Sequence, residues 1–142
     1  MDTQADPLSL LRSLNETAAF NRWLGIQVLS AGEGRAQIAL DWRPDLGQYA
    51  GYLHAAVLGG LIDTACGFAA VTVVGRVLAS HYAVNCLRPA VGERFIARAR
   101  VVKPGRTQVF TACELFAVDG GEEKLVATGE TLLTPVAASA PA

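Results

Sequence analysis

Cysteine and histidine are scarce in this sequence, which holds three cysteines and two histidines among 142 residues. Cys66, Cys86 and Cys113 are widely spaced and odd in number, so they form neither a disulfide framework nor a CxxC metal pair. We therefore expect the reduced, partly buried thiols of a cytoplasmic protein. Because the histidines and cysteines do not cluster, we expect no metal site.

Net charge is also nearly absent from the chain. Twelve lysines and arginines against thirteen aspartates and glutamates leave a net charge of -1 at pH 7. Without a field of one sign, the chain has no general attraction for nucleic acid or for an anionic membrane. P-loop and Rossmann glycine motifs are missing as well, which argues against nucleotide hydrolysis, redox chemistry and a resident cofactor. The first residues lack a basic segment followed by an apolar one, so we expect no signal peptide.

Apolar residues, in contrast, are abundant. They make up 51% of the sequence, and charged residues make up 18%. A chain of this length can bury the core of one ordinary domain. The high apolar fraction indicates that further surface is buried between subunits.

The longest apolar segment is residues 51–71, GYLHAAVLGGLIDTACGFAAV, which carries a single charge, Asp63. A helix that is apolar on nearly every face is normally buried. Its length approaches that of a membrane span, but Asp63, four glycines and the strand-like segments that follow argue against one. A carboxylate in such a helix is unfavourable unless it is hydrogen-bonded, paired or used. We therefore interpret Asp63 as the functional centre, with Thr64 either assisting it or bonding back to its own helix.

Local patterns predict the other elements. Asp6-Pro7 is a typical helix start, and leucines at helical spacing continue it as a packing or covering helix. Alternating residues around an Ala-Gly-Glu-Gly turn predict a hairpin over residues 25–42. The remaining predicted ranges are 7–21 for the first helix, 54–73 for the central helix, 77–87, 94–102, 108–118 and 124–133 for four strands, and 135–142 for a flexible tail.

This order of elements indicates a single α+β domain over residues 1–142, in which an antiparallel sheet wraps around one buried helix. One sheet covers one face of that helix, and the other face would stay in contact with water in a monomer. The simplest cover for an apolar face is a second copy related by a two-fold axis. The sequence therefore predicts a homodimer.

Residues 51–65 resemble a family signature. Gly51, His54 and Asp63 match the pattern G-x-x-H-G-G-x-x-x-x-x-x-D of hotdog-fold acyl-CoA thioesterases of the phenylacetate-degradation type. The family's two glycines are Ala55 and Ala56 here. The resemblance extends from about residue 14 to residue 133 and includes residues 23–26, 34–36, 85–90, 101–106 and 125–129.

The resemblance implies a hotdog fold and hydrolysis of acyl-CoA thioesters, with coenzyme A as part of the substrate. It also implies a homodimer with two composite sites, assembled into a tetramer. In the family, a backbone N–H after the histidine polarises the thioester carbonyl, and Ala55 and Ala56 keep their N–H groups. Their Cβ atoms crowd the approaching thioester, which favours a second hypothesis, a non-catalytic acyl-CoA sensor or carrier-binding module. Enoyl-CoA hydration, a third hypothesis, usually needs an Asp and a His at a shorter spacing than His54 and Asp63.

Helix geometry constrains how these residues act. A helix N-terminus offers unpaired N–H groups and the positive end of a dipole, so Ala55 and Ala56 are candidates for holding an oxyanion. Asp63 is the candidate base or nucleophile. Ala55 and Asp63 are eight residues apart, which is roughly 12 Å along a helix. If both act on one thioester, they must come from different subunits.

Further candidates flank the central helix. Gln48 stands where the family usually has an amide that contacts the thioester carbonyl or the attacking water, and a solvated loop side chain is the alternative. His54 either holds the loop and the helix start or binds the substrate. Ser80 and His81 lie where the family often has a hydroxyl near the catalytic carboxylate, and a pair of His81 with Asp63 is conceivable. Three basic residues at strand ends and turns either meet the phosphates of coenzyme A or are ordinary solvated charges: Arg88, Lys103 and Arg106.

Overall fold

A six-stranded antiparallel sheet packed against one long helix dominates the computed structural model, which describes residues 5–137. The strand order is β1-β2-β4-β5-β6-β3. The predicted α+β arrangement of an antiparallel sheet around one central helix is confirmed. The elements are α1 (Pro7–Thr17), α2 (Ala19–Leu24), β1 (Gln27–Gly32), β2 (Arg35–Asp41), a 3-10 turn (Pro44–Leu46), α3 (Ala55–Val74), β3 (Val77–Cys86), β4 (Arg94–Lys103), β5 (Val109–Asp119) and β6 (Glu122–Pro135).

The predicted first helix over residues 7–21 is wrong in one respect, because the chain breaks at Ala18 into α1 and α2. Ala18 has extended backbone angles, φ -94° and ψ 118°. Two buried amides hold the corner between the helices. Asn21 Nδ2 donates to Asn15 Oδ1 at 3.0 Å, and Asn15 Nδ2 donates to the Ile26 carbonyl at 2.9 Å. Helical spacing alone does not reveal this corner, since Leu8, Leu11, Leu14 and Ala18 keep that spacing up to the corner itself.

The long helix α3 begins at Ala55, one residue later than predicted, and ends at Val74. Gly75 follows with a φ of +77°, a left-handed region that favours glycine and stops the helix. By its length and its mean hydropathy of 1.9, α3 could cross a membrane, but 56% of its 18-residue apolar stretch is buried inside the fold. Its buried side chains pack against the sheet, as a core helix requires.

The sheet presents one face to α3, and its strands alternate as predicted. Phe95 and Ala97 of β4 and Val109 and Leu115 of β5 are all buried. The strand β6 is longer than predicted and includes Pro135, which pairs with Val77 and so belongs to the sheet rather than to the tail. Residues 138–142 of the predicted tail lie outside the described residues.

The cysteines are free thiols, as expected, and two of the three are buried. Cys66 of α3 and Cys113 of β5 lie close together between the helix and the sheet, and Cys113 Sγ donates to the Glu114 carbonyl at 3.7 Å. The interaction with Cys66, together with burial, raises the pKa of the Cys113 thiol. Both thiols therefore belong to the core that positions α3 on the sheet, whereas Cys86 is exposed.

The strand β3 forms an edge of the sheet and is poorly covered. Leu78 is 60% exposed and Tyr82 is 52% exposed. An edge strand with apolar side chains and unpaired backbone groups is a template for pairing with another chain. The β3 edge is therefore a candidate surface for pairing with a second copy.

Candidate active site

Asp63 projects from α3 into a cavity of about 280 Å³ between the N-terminal helices, α3 and β3. Leu14, Phe68 and Leu78 provide apolar walls, and Thr64 lies beside the carboxylate. Asp63 Oδ1 is buried and has no hydrogen-bond partner among residues 5–137. Burial raises the pKa of this carboxyl group above its ordinary value. A carboxylate held without a partner in an apolar cavity is suited to accept a proton or to attack an electrophile.

The start of α3 is capped by a histidine side chain. His54 Nδ1 accepts a hydrogen bond from the Ala56 N–H at 2.9 Å, and the His54 carbonyl accepts from Val57 and Leu58. The predicted donor pair is therefore reduced to one, because the Ala56 N–H is already committed to His54. The Ala55 N–H makes no hydrogen bond within the described part of the chain. It is the donor left for a ligand, at the positive end of the helix dipole.

A second cavity, of about 330 Å³, opens at this helix start. Gln48, Ala55 and Arg88 line it. The Gln48 Oε1 atom accepts hydrogen bonds from the backbone N–H groups of Ala50 and Tyr52. Because both of these partners are donors, the amide orientation is fixed and Gln48 Nε2 remains available to donate. The helix start thus gathers an amide donor, a backbone N–H and a guanidinium.

Asp63 and Ala55 line two different cavities of the same chain. Their positions on α3 put them roughly 12 Å apart along the helix. A thioester carbonyl carbon and its oxygen lie within a bond length of each other, so these two groups of one chain do not reach the same thioester. Each chain therefore carries two candidate half-sites, a carboxylate half and a helix-start half.

These features agree with the sequence comparisons. A family model described as the thioesterase superfamily matches residues 50–124, which include both halves of the site. The chain belongs to the thioesterase superfamily. It is therefore a hydrolase that acts on thioesters, and the expected hotdog fold is confirmed.

Solved structures and curated relatives show what this superfamily member is similar to. A thioesterase family protein from Silicibacter pomeroyi is 33% identical, with a TM-score of 0.87 over 91% of this chain and 97% of that one. A protein from Halobacterium salinarum, provisionally named an esterase, is 31% identical over 72% of each chain. The PaaI protein from the phenylacetic acid degradation operon of E. coli shares the fold at 23% identity, with a TM-score of 0.83 over 92% of this chain and 94% of that one.

Two predicted residues lie elsewhere in the structure of this hydrolase. Ser80 Oγ donates to the Leu132 carbonyl at 3.1 Å, at a bulge that shifts the pairing between Ala79 and His81. His81 lines a separate cavity with exposed Phe110, on the sheet face away from α3. No hydrogen bond or ion pair joins His81 to Asp63 within residues 5–137. Ala79, one residue before the bulge, lines the Asp63 cavity instead.

The predicted phosphate-binding residues divide between two ends of the sheet. Arg88 follows the end of β3 and lines the helix-start cavity. Lys103 pairs with Phe110 at the end of the sheet where β3 begins, and Arg106 lies in the following turn. A strand of this length separates the two ends by roughly 30 Å. One chain therefore does not bring the three basic residues together.

Sequence reasoning missed residues that complete the Asp63 cavity. Leu14 and Asn21 come from the N-terminal helices, and Gly67 and Phe68 come from the next turn of α3. For Gly67 a signal was available, since it lies four residues after Asp63 and shares its face of the helix. No local pattern reveals how the N-terminal helices dock over the cavity.

Proposed function

We propose that this hydrolase cleaves acyl-CoA thioesters to a free acid and coenzyme A. The observation that carries the proposal is the pair of unsatisfied groups on α3, the buried Asp63 Oδ1 in an apolar cavity and the free Ala55 N–H in a separate one. An acyl thioester needs a group that activates water or attacks directly, and a donor for its oxyanion. The two halves supply these functions.

In the proposed reaction, the Asp63 carboxylate takes a proton from water while the water oxygen bonds to the thioester carbonyl carbon. The carbonyl oxygen becomes an oxyanion held by the Ala55 N–H of the partner subunit. Nε2 of Gln48 of the partner subunit is a second donor to this oxyanion. When the carbonyl re-forms, the C–S bond breaks and the thiolate of coenzyme A leaves, taking the proton from Asp63. Direct attack by the carboxylate would instead give an anhydride that water then cleaves.

The composite site requires a homodimer, for which β3 is the proposed contact. Antiparallel pairing of two β3 edges about a two-fold axis buries Leu78 and Tyr82 and extends the sheet. It also brings the Lys103 end of one chain beside the Arg88 end of the other, so basic residues from both chains could meet the phosphates of coenzyme A. Exposed Val102 and Phe110 lie together on the outer sheet face, and this apolar surface is the proposed contact for assembly of two dimers into a tetramer.

The test is turnover of a broad acyl-CoA panel by the purified protein, followed by Asp63→Asn. We expect the substitution to lower kcat/KM by about 10²- to 10⁴-fold, because the loss of a positioned base has effects of this size. Asp119→Asn, at an exposed strand end, is the matched control and should leave turnover unchanged. Unchanged turnover in Asp63→Asn would exclude this mechanism. Tight binding of coenzyme A without hydrolysis of any panel member would favour the non-catalytic alternative.

A further inference from the structure

The three glycines of α3 have different surroundings. A Cβ atom at Gly59 would lie 3.3 Å from the Tyr82 ring, and one at Gly60 would lie 3.2 Å from the Phe20 ring. Close packing of these rings accounts for both glycines. At Gly67, in contrast, a Cβ atom would meet nothing within 4 Å. Glycine inside a helix is less favourable than alanine, so an open Gly67 needs an explanation other than packing.

The space left by Gly67 belongs to the Asp63 cavity. Gly67 lies one turn after Asp63 on the same helix face and lines the same 280 Å³ volume. Phe68, Val71 and Leu78 line the same cavity. Among the described residues that line this cavity, Asp63 is the only charged one. The cavity therefore extends from the carboxylate into an apolar recess, and Gly67, which has no side chain, lines this recess.

We propose that this recess receives the acyl group of the substrate, as an uncharged apolar chain lying along α3 from Asp63 past Gly67. This inference rests on the proposed function. It means that the missing side chain at Gly67 allows longer acyl chains to bind. A side chain at Gly67 would fill the far part of the recess and leave the part beside Asp63 open.

The experiment measures binding of non-hydrolysable thioethers, so that it does not depend on turnover. S-ethyl, S-hexyl, S-decyl and S-hexadecyl coenzyme A are titrated calorimetrically into the wild type, Gly67→Ala and Gly67→Leu. Each methylene kept out of an apolar pocket lowers affinity by about fourfold. We expect Gly67→Leu to weaken S-decyl binding more than about tenfold and to leave S-ethyl binding within about threefold, with Gly67→Ala in between. Val73→Leu, an exposed position on the same helix, is the control and should keep the wild-type profile.

Three outcomes of the binding experiment would overturn the inference. They are an unchanged chain-length profile in Gly67→Leu, an equal loss at every chain length, and failure of the wild type to bind any of the thioethers. Light scattering tests the competing explanation that Gly67 permits close contact between two α3 helices. A monomeric Gly67→Ala would support that explanation and overturn ours. Failure of the wild type to hydrolyse acyl-CoA, with the expected thioether profile, would reject the proposed hydrolysis and leave the assignment of Gly67 intact.

Discussion

At the scale of single residues, Asp63 is identifiable from sequence because it is the one charge in a 20-residue apolar helix. Its Oδ1 atom is buried without a hydrogen-bond partner. Burial raises the pKa of the Asp63 carboxyl group, so this group ionises less readily in the folded chain than in the unfolded one. The sequence could not predict that the Ala56 N–H is hydrogen-bonded while the Ala55 N–H is free. This difference depends on the His54 side chain turning back to accept the Ala56 N–H, and neither spacing nor composition encodes that rotamer.

The raised pKa of Asp63 gives a prediction for stability. Between the ordinary carboxyl pKa, 3.8, and the higher folded value, the folded state binds more protons than the unfolded state. The free energy of unfolding of the wild type should therefore fall as pH rises through this window. Asp63→Asn removes this dependence, so we expect it to be more stable than the wild type at pH 7, with the difference shrinking towards pH 3.5.

Urea unfolding of both proteins across this pH range is the measurement. Asp119→Asn serves as the exposed control and should follow the wild type. If the difference in the free energy of unfolding between Asp63→Asn and the wild type widens towards low pH, burial does not oppose ionisation of Asp63. That result would contradict the prediction.

At the scale of elements, existence and order were predictable, while breaks and bulges were not. Alternating apolar residues and turn residues predicted all six strands, and the length of the apolar segment predicted α3. The break at Ala18 is held by side-chain hydrogen bonds of the buried pair Asn15 and Asn21, which the spacing of apolar residues does not reveal. The bulge between Ala79 and His81 moves the following side chains relative to β6, so Ser80 and His81 do not lie where uninterrupted alternation suggests.

The start of α3 yields a prediction at this scale. His54→Ala removes the acceptor for the Ala56 N–H, and loss of an N-cap typically lowers the free energy of unfolding by about 1 kcal/mol. His54→Asn keeps an acceptor at the cap and should recover most of that loss. Thermal unfolding of the three proteins distinguishes these cases. Equal destabilisation by Ala and Asn would show that the histidine stabilises the fold by some other contact.

At the scale of the whole molecule, the two half-sites predict complementation between defective chains. Ala55→Pro deletes the free N–H, yet proline is favoured at the first position of a helix and His54 before it is already extended, φ -63° and ψ 138°. We expect Ala55→Pro to fold normally and to lose about 10²- to 10³-fold in kcat. Ala55→Gly, which keeps the N–H, should retain turnover.

Mixing Ala55→Pro with Asp63→Asn should then restore activity. A hybrid dimer holds one doubly defective site and one intact site, so random exchange should recover about a quarter of the wild-type rate. Activity is measured after unfolding and refolding the two variants together and separately. A mixture no more active than its components would mean that each site is built from one chain.

The distance between Ala55 and Asp63 along α3 also bears on how such a protein could diverge. In the proposed mechanism, each half of the site can be lost without loss of the other, because the two halves would serve different substrate molecules. After gene duplication, one copy could keep the carboxylate and its sister the helix start. The pair would then depend on each other as an obligate heterodimer with a single active site, while the second site became free to acquire a different role.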